Sequence, residues 1–279
     1  MNVCTDNSAV EIFTDMPNDE YHRRKPGISR SEAARYRGVY GGRAQRYQQV
    51  YGKSLFAGNA STNFGTLIDG AIEAEARGID WKTRCAVAPP SVLASDGSRR
   101  GKPFQEWKAS LPVDAVECSA VDFEKAGDII ASIREHEAAN RYLTGIAHTQ
   151  LSVFHTDADG HRRKAKADGV TKSGVWFDLK TTSSEWRDLR YSFRRFAYDW
   201  QAAWYTDAAI AAGYEPFVFK FIVVQTFAPY DVKVLWLPEE EIERARGEIR
   251  ETLNLMRHRE ETGEFVDPSY HEEQVLELG

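Results

Sequence analysis

Between residues 149 and 181 the hydrophobic pattern changes from helical spacing to strand-like runs, and two tight turns cut the stretch into three. Residues 149–155, 162–171 and 175–181 alternate or run apolar, as strands do. Asp159-Gly160 separates the first two and Lys172-Ser173-Gly174 the last two. Both connections suit hairpins, so the middle of the chain is expected to be strands paired through short turns.

Around this stretch the period is helical. Ser29 and Glu32 fit a capping box, opening a helix that runs toward Tyr51 although Gly38, Gly41 and Gly42 weaken it. A second helix is predicted over 63–77, where Phe64, Leu67, Ile68, Ala71 and Ile72 recur at helical spacing. Residues 85–102 are rich in Pro, Ser and Gly and read as a loop, with Arg99, Arg100 and Lys102 as exposed loop charge. A long helix is expected over 120–143, its buried stripe marked by Phe123, Ala126, Ile130 and Ile133. After the hairpins come a helix over 189–212 ending at Gly213, strands over 217–226 and 230–237, and a charged helix from Pro238 to Glu261.

That succession predicts an α/β fold, a central mixed β-sheet flanked by helices, with an N-terminal helical region. Residues 1–20 are expected to be irregular and 21–262 to form a single domain, with a helical part at 28–145, a core at 146–237 and a closing helix at 238–262. An acidic tail follows at 263–279.

The 279 residues are 42% apolar and 28% charged, ordinary values for a globular chain, and this excludes wholesale disorder. No apolar run reaches membrane-spanning length and the N-terminus lacks a basic-then-apolar leader, so a soluble, cytoplasmic protein with no membrane partner is expected. Cys4, Cys85 and Cys118 lie far apart without a CxxC pair, which argues against a disulfide scaffold, a zinc ribbon and an iron–sulfur cluster. His136-Glu137 approaches a zinc-protease motif but has Asn140 where the second histidine must stand. Asp157-Ala-Asp159-Gly160 echoes a calcium loop but fits a turn better, and no phosphate-binding glycine motif or serine-hydrolase elbow occurs.

The net charge of -6 hides an uneven distribution. Residues 161–195 hold ten Lys/Arg against four Asp/Glu, whereas 238–279 hold thirteen Asp/Glu against five Lys/Arg. A basic segment inside an acidic chain suits a phosphate-bearing partner, although a solvated face gives the same count.

Within that segment, Lys164-Ala-Lys166-Ala-Asp168-Gly169 is followed by Phe177-Asp178-Leu179-Lys180-Thr181. Side chains on a strand alternate faces, so Asp178 and Lys180 share one face while Phe177 and Leu179 point to the other. A three-residue turn at 172–174 sets Thr171 opposite Val175, hence Asp168 opposite Asp178 and Lys166 opposite Lys180. Facing carboxylates repel unless a cation sits between them, and hard divalent cations favour such oxygens. That arrangement outlines phosphodiester cleavage, with Lys180 beside the phosphate or the attacking water. For Asp178 and Lys180 alone, a surface hairpin with alternating charges is the commoner explanation. Gln201 and Tyr205, four apart on the next helix, share one face. Arg187, Arg190, Arg194 and Arg195 precede them and suit a DNA backbone.

Taken in order, Asp168, Asp178-Leu-Lys180 and Gln201-x-x-x-Tyr205 resemble the PD-(D/E)XK nuclease superfamily in its RecB/RecE-like form. The likeness is nearest to phage and prophage exonucleases related to the RecE nuclease domain, and it runs from Tyr21 to Met256. It takes in Ile28-Ser29-x-Ser31, Phe64-Gly65-Thr66, Gly101-Lys102 and Pro229-Tyr230. The resemblance implies that Asp168, Asp178 and the Leu179 carbonyl bind magnesium or manganese, that Lys180 is catalytic, and that Gln201 and Tyr205 hold the substrate. It implies a DNA exonuclease acting on linear duplex ends; some relatives assemble into rings around the DNA and work with a single-strand annealing protein. Two positions depart from the pattern: Asp69 stands where relatives carry a histidine ligand, and Gln150 where they carry a glutamate. Asp69 still suits magnesium, whereas Gln150 weakens a second-metal site or alters metal preference. Lys164, Lys166 and the four arginines are the expected DNA contacts. The alternatives are a catalytically weak DNA-end-binding protein and a structure-specific endonuclease on the same fold. Stacking of bases on Trp186 or Trp200 is less favoured than a core role.

Overall fold

A computed structural model describes residues 10–14, 16–24, 26–37, 41–52, 60–112, 115–214 and 219–266. The chain opens with β1 (Val10–Phe13), α1 (Asn18–Arg23), β2 (Ile28–Ser29), α2 (Arg30–Arg35) and α3 (Gly41–Tyr51). Next come α4 (Ala60–Ala76), β3 (Cys85–Val87), α5 (Lys102–Ala109), β4 (Val116–Cys118), α6 (Ala120–Glu135) and α7 (Glu137–Thr144). Strands β5 (Ile146–Thr156), β6 (Arg162–Thr171) and β7 (Trp176–Thr182) follow, then α8 (Leu189–Arg195) and α9 (Tyr198–Ala211). Strands β8 (Lys220–Gln225) and β9 (Val232–Leu235) and helix α10 (Glu239–Thr262) complete it.

The main sheet runs β1-β5-β6-β7-β8-β9, with β2 added beside β6. It is mixed, as expected: β7 pairs parallel with β8 and β2 with β6, and the other neighbours are antiparallel. Helices cover both faces. On one, Trp200 and Trp204 of α9, Ala33 of α2 and Ile249 of α10 pack on Trp176, Phe221 and Val223. On the other, Leu67 and Ile68 of α4, Ile130 of α6 and Ala139 of α7 pack on Phe177, Leu179, Ile222 and Val224. Strand alternation thus sends Phe177 and Leu179 into one helical layer and Trp176 toward the other.

Several expectations need correction. Residues 1–20 are not wholly irregular: Val10–Phe13 forms an edge strand on β5, and α1 begins at Asn18. The loop expected at 85–102 opens with β3, which pairs with β4 in a separate two-stranded sheet, so the helical part contains strand as well. The helix expected from Ser29 divides into α2 and α3; its capping box is present, with Glu32 N–H donating to Ser29 Oγ at 3.3 Å. Gly38 lies outside the described residues, as do Cys4, residues 217–218 and the tail from 267 onward.

The helix expected over 120–143 breaks at His136, whose Nδ1 accepts from Ala139 N–H at 3.2 Å and so caps α7. That cap is what the near-miss to a zinc motif amounts to. The helix expected over 189–212 breaks at Ala197, which adopts a left-handed φ of 53°. The closing helix lies within a residue of expectation at both ends. The Asp157–Gly160 turn is a hairpin, with Asp157 Oδ1 accepting from His161 N–H at 2.8 Å and Gly160 at a φ of 81°.

Candidate active site

The turn at 172–174 has the expected register: Thr171 N–H donates to Val175 O at 2.9 Å, Val170 pairs with Trp176 and Gly169 with Phe177. There the β6–β7 ladder stops and the strands fork. Beyond Phe177 a side chain replaces the backbone partner, with Leu179 N–H donating to Asp168 Oδ2 at 3.1 Å. Gly169 sits at the base of the fork because a Cβ there would lie 2.1 Å from Phe177 Cζ.

Strand β7 continues beside β8, setting Asp178 against Phe221 and Lys180 against Val223. Asp178 is 4% exposed, and its Oδ2 is ion-paired with the Lys180 ammonium. Its Oδ1 accepts from Gln201 Nε2 at 2.5 Å. The break at Ala197 lets the first turns of α9 face the fork, placing the Tyr198 ring 5.3 Å from Lys180 Nζ. Arg30 locks this corner, donating to Gln201 Oε1 at 3.0 Å and to Phe196 O, an end carbonyl of α8, at 3.2 Å. Tyr205 does not hydrogen-bond to Asp178; its hydroxyl donates to Lys166 O at 2.9 Å.

From α4, Asp69 adds a third carboxyl that interacts electrostatically with Asp168, Asp178 and Lys180. Burial, then the charges of Asp178 and Asp69, push the Asp168 carboxyl well above its ordinary range, against Lys180 and the Leu179 amide. Burial pushes Asp69 up to about 7; Lys180 opposes this, and Asp178 and Glu73 add to it. Burial alone would lower the Lys180 ammonium, but Asp178 and Asp168 outweigh it and hold the group above its ordinary value. One lysine does not balance three ionised carboxyls, so in the absence of a further cation Asp168 is held protonated.

Among the described residues no three His, Cys, Asp or Glu side chains stand together as a ready-made cation cage. The donor chemistry nevertheless suits a hard divalent cation. Asp178 Oδ2 is buried with no hydrogen bond, its contact being the ion pair with Lys180, and the carboxylates around it repel one another. Gln150 bears on the same place. The pairs Thr149–Gly169 and Leu151–Ala167 bracket it opposite Asp168, and its φ is 55°.

The expected DNA contacts divide. Lys164 is corrected: it is 1% exposed, and its ammonium donates to Tyr21 O at 2.9 Å and Arg24 O at 3.3 Å, tying the end of α1 to the sheet. Lys166 is half-buried and donates to Met16 O at 2.9 Å and Asn18 Oδ1 at 2.6 Å. Arg194 pairs with Glu241 at 3.1 Å, and Arg187 with Glu185 at 3.4 Å. Arg190 and Arg195 are exposed on α8. Trp200 is core, and its Nε1 donates to Glu248 Oε2 at 2.9 Å.

Arg30, Tyr198 and Glu73 were not singled out from sequence. Glu73 had a signal, since it stands four residues after Asp69 and so shares its helix face. Arg30 had none, because its partner Gln201 lies 171 residues away.

Among the described residues no helix is long and apolar enough to cross a membrane. No curated protein matches the chain. The crystal structure of a protein described as a putative exonuclease from Eubacterium rectale has a TM-score of 0.62 at 16% identity, covering 94% of this chain and 95% of that one. At that identity the likeness is one of fold. The model of the PDDEXK-like domain of unknown function (DUF3799) matches residues 48–273, which take in α4, the forked strands and α9. The chain therefore belongs to that PDDEXK-like family, and its helix-flanked mixed sheet is the fold of the PD-(D/E)XK nuclease superfamily.

Proposed function

We propose that the chain is a divalent-metal-dependent deoxyribonuclease, an exonuclease that hydrolyses phosphodiester bonds from the ends of double-stranded DNA in phage-type recombination. The observation that carries this is the fork itself. One buried carboxylate, Asp178, meets the Lys180 ammonium and the Gln201 amide while Asp168 closes over the adjacent Leu179 amide. Family membership supports a nuclease, and the description of the fold neighbour supports an exonuclease.

Asp168, Asp178, Asp69 and the Leu179 carbonyl would hold magnesium or manganese. When bound, such a cation neutralises phosphate charge and acidifies a water. The chain's own groups do the rest. Lys180 holds positive charge beside the scissile phosphate and orients the attacking water. Gln201 fixes the Asp178 carboxylate, and Arg30 fixes Gln201. Tyr205 anchors β6 through the Lys166 carbonyl, which keeps the fork at its width. A cleft of about 940 Å³ whose lining includes Arg23, Arg30, Arg35 and Tyr205 gives the DNA backbone a cationic approach. On this reading the product is single-stranded and suits a single-strand annealing protein, a ring of copies around the duplex is expected, and the reaction takes place in the cytoplasm.

The test is digestion of end-labelled linear duplex DNA with magnesium, manganese or EDTA, beside a closed circle and the Asp178→Asn protein. Metal-dependent loss of the linear substrate alone, abolished in the variant, is expected. Cutting of the circle would make the protein an endonuclease. DNA binding without cleavage under either metal would make it an end-binding protein.

A further inference from the structure

Cations and aromatic rings recur along helix α8 and its C-cap residue, Phe196. Tyr191 is 60% exposed and Phe196 51%. The Arg190 guanidinium lies 4.7 Å from the Tyr191 ring, and that of Arg195 lies 5.6 Å from the Phe196 ring. Tyr191 and Arg195 are four residues apart and so share a helix face. Arg190 with Tyr191 and Arg195 with Phe196 thus form two exposed cation–ring pairs, one near each end of the helix.

The strip continues inward. The Phe196 ring lies 5.8 Å from that of Tyr198 at 34°, and Tyr198 lies 5.3 Å from Lys180 Nζ. A line of flat surfaces thus leads from solvent to the ammonium in the fork. Its backbone is held in place, since Phe196 O accepts from Arg30, which also holds Gln201.

Neither outer ring serves the core. Phe193 and Tyr198 pack against the buried cluster, but Tyr191 and Phe196 do not belong to it. The two arginines also differ from their neighbours. Arg187 and Arg194 face carboxylates, whereas among the described residues Arg190 and Arg195 have an aromatic partner and no ion pair. Exposed rings interleaved with uncompensated cations complement a chain that carries flat bases and phosphates together. A duplex keeps its base faces stacked inside, so the chemistry fits unpaired nucleotides.

We propose that Tyr191 and Phe196 are a stacking surface for unpaired nucleotides of a DNA end, with Arg190 and Arg195 meeting the intervening phosphates, and that this surface leads the single strand to Lys180. The proposal rests on the nuclease reading and adds to it the form of the substrate. Stacking uses the π face common to all bases, so no sequence preference is expected.

The test is equilibrium binding of fluorescein-labelled oligothymidylate and of a blunt duplex to the full chain carrying Asp178→Asn, in calcium so that nothing is cut. Phe196→Ala and Tyr191→Ala are added singly, with Phe196→Trp as the conservative control and a thermal melt to confirm folding. Each alanine is expected to weaken oligothymidylate binding about tenfold, with blunt-duplex affinity level and Phe196→Trp restoring the loss. Equal oligothymidylate affinity in folded Phe196→Ala and its parent would overturn the proposal, as would equal losses on both DNAs. A changed subunit number with unchanged DNA affinity would make the strip a contact between copies and overturn it too. A parent that binds neither DNA overturns the nuclease reading and the stacking surface with it.

Discussion

Replacing Gly169 by alanine puts a methyl carbon where the Phe177 ring already lies. The new Cβ would stand 2.1, 2.5 and 2.8 Å from three atoms of that ring. Phe177 is 1% exposed, packed with α4, α6 and α7, and 6.3 Å from the Tyr142 ring, so it has no solvent to swing into. Overpacking of this kind costs about 1–3 kcal/mol, or about 2–6 °C of Tm for a domain of this size. The consequence for chemistry is larger than for stability. Asp178 is the next residue along β7, and a shift of about 1 Å at a reacting group can cost about 100-fold in rate. Gly169→Ala is therefore expected to remain folded well below its midpoint while cleaving linear duplex about 100-fold more slowly. Calorimetry and single-turnover digestion measure the two effects separately. Phe177→Leu removes the ring edge, so the double variant should be less destabilised than the two single losses added together, by about 1 kcal/mol. Additive losses, or a Gly169→Ala protein that melts and cleaves like its parent, would refute the idea that glycine at this point sets the fork.

Lys164→Met keeps the aliphatic stem but strips the Tyr21 and Arg24 carbonyls of their donor, and should cost about 1–3 kcal/mol in urea unfolding while leaving DNA affinity unchanged; weaker DNA binding at unchanged stability would return Lys164 to the DNA surface. His155 is 3% exposed, and burial, then the Arg163 charge, hold its imidazole down to about 4. Its stabilising difference is intact above the unfolded pKa of about 6.5 and drains away as pH falls toward 4, because the unfolded chain takes up the proton first; the loss across that window is about 3 kcal/mol. His155→Leu should flatten this acid limb in urea titrations, and identical slopes in the two proteins would show that other groups govern it.

What could be seen in the sequence was local. The turn Lys172-Ser173-Gly174 fixes its register within a few residues, and Gly174 takes the left-handed φ of 82° that the turn needs, so parity gave the pairing as far as Gly169 and Phe177, while the fork beyond it, with Asp168 turned onto the Leu179 amide, was not visible. Helix α4 carried its stripe in plain view, and α10 its bounds. The break at Ala197 was hidden because alanine is the best helix former; tertiary contacts impose it, with Trp200 and Trp204 buried beyond it and Arg30 satisfying the Phe196 carbonyl before it. Strand β1 is four residues long and gains its shape from pairing with β5, which no local pattern announces.

Charge was the signal most easily misread, because a count along the chain ignores which charges face each other. Lys164 and Lys166 belong to the basic segment by sequence, yet both ammonium groups are engaged by the backbone of residues 16–24. Conversely, the acidic helix α10 does not simply repel DNA. Glu241 pairs with Arg194 and Arg244, and Glu248 with Arg37 and Arg244, so much of its charge is neutralised within the fold. Two places then stand out: the fork, where three carboxyl groups crowd one ammonium and are driven toward protonation, and the α8 strip, where Arg190 and Arg195 lack a carboxylate among the described residues. A cation answers the first imbalance and a phosphate chain the second. A net charge of -6 is thus compatible with a DNA-facing surface, because the acids and bases that remain unbalanced lie in different places.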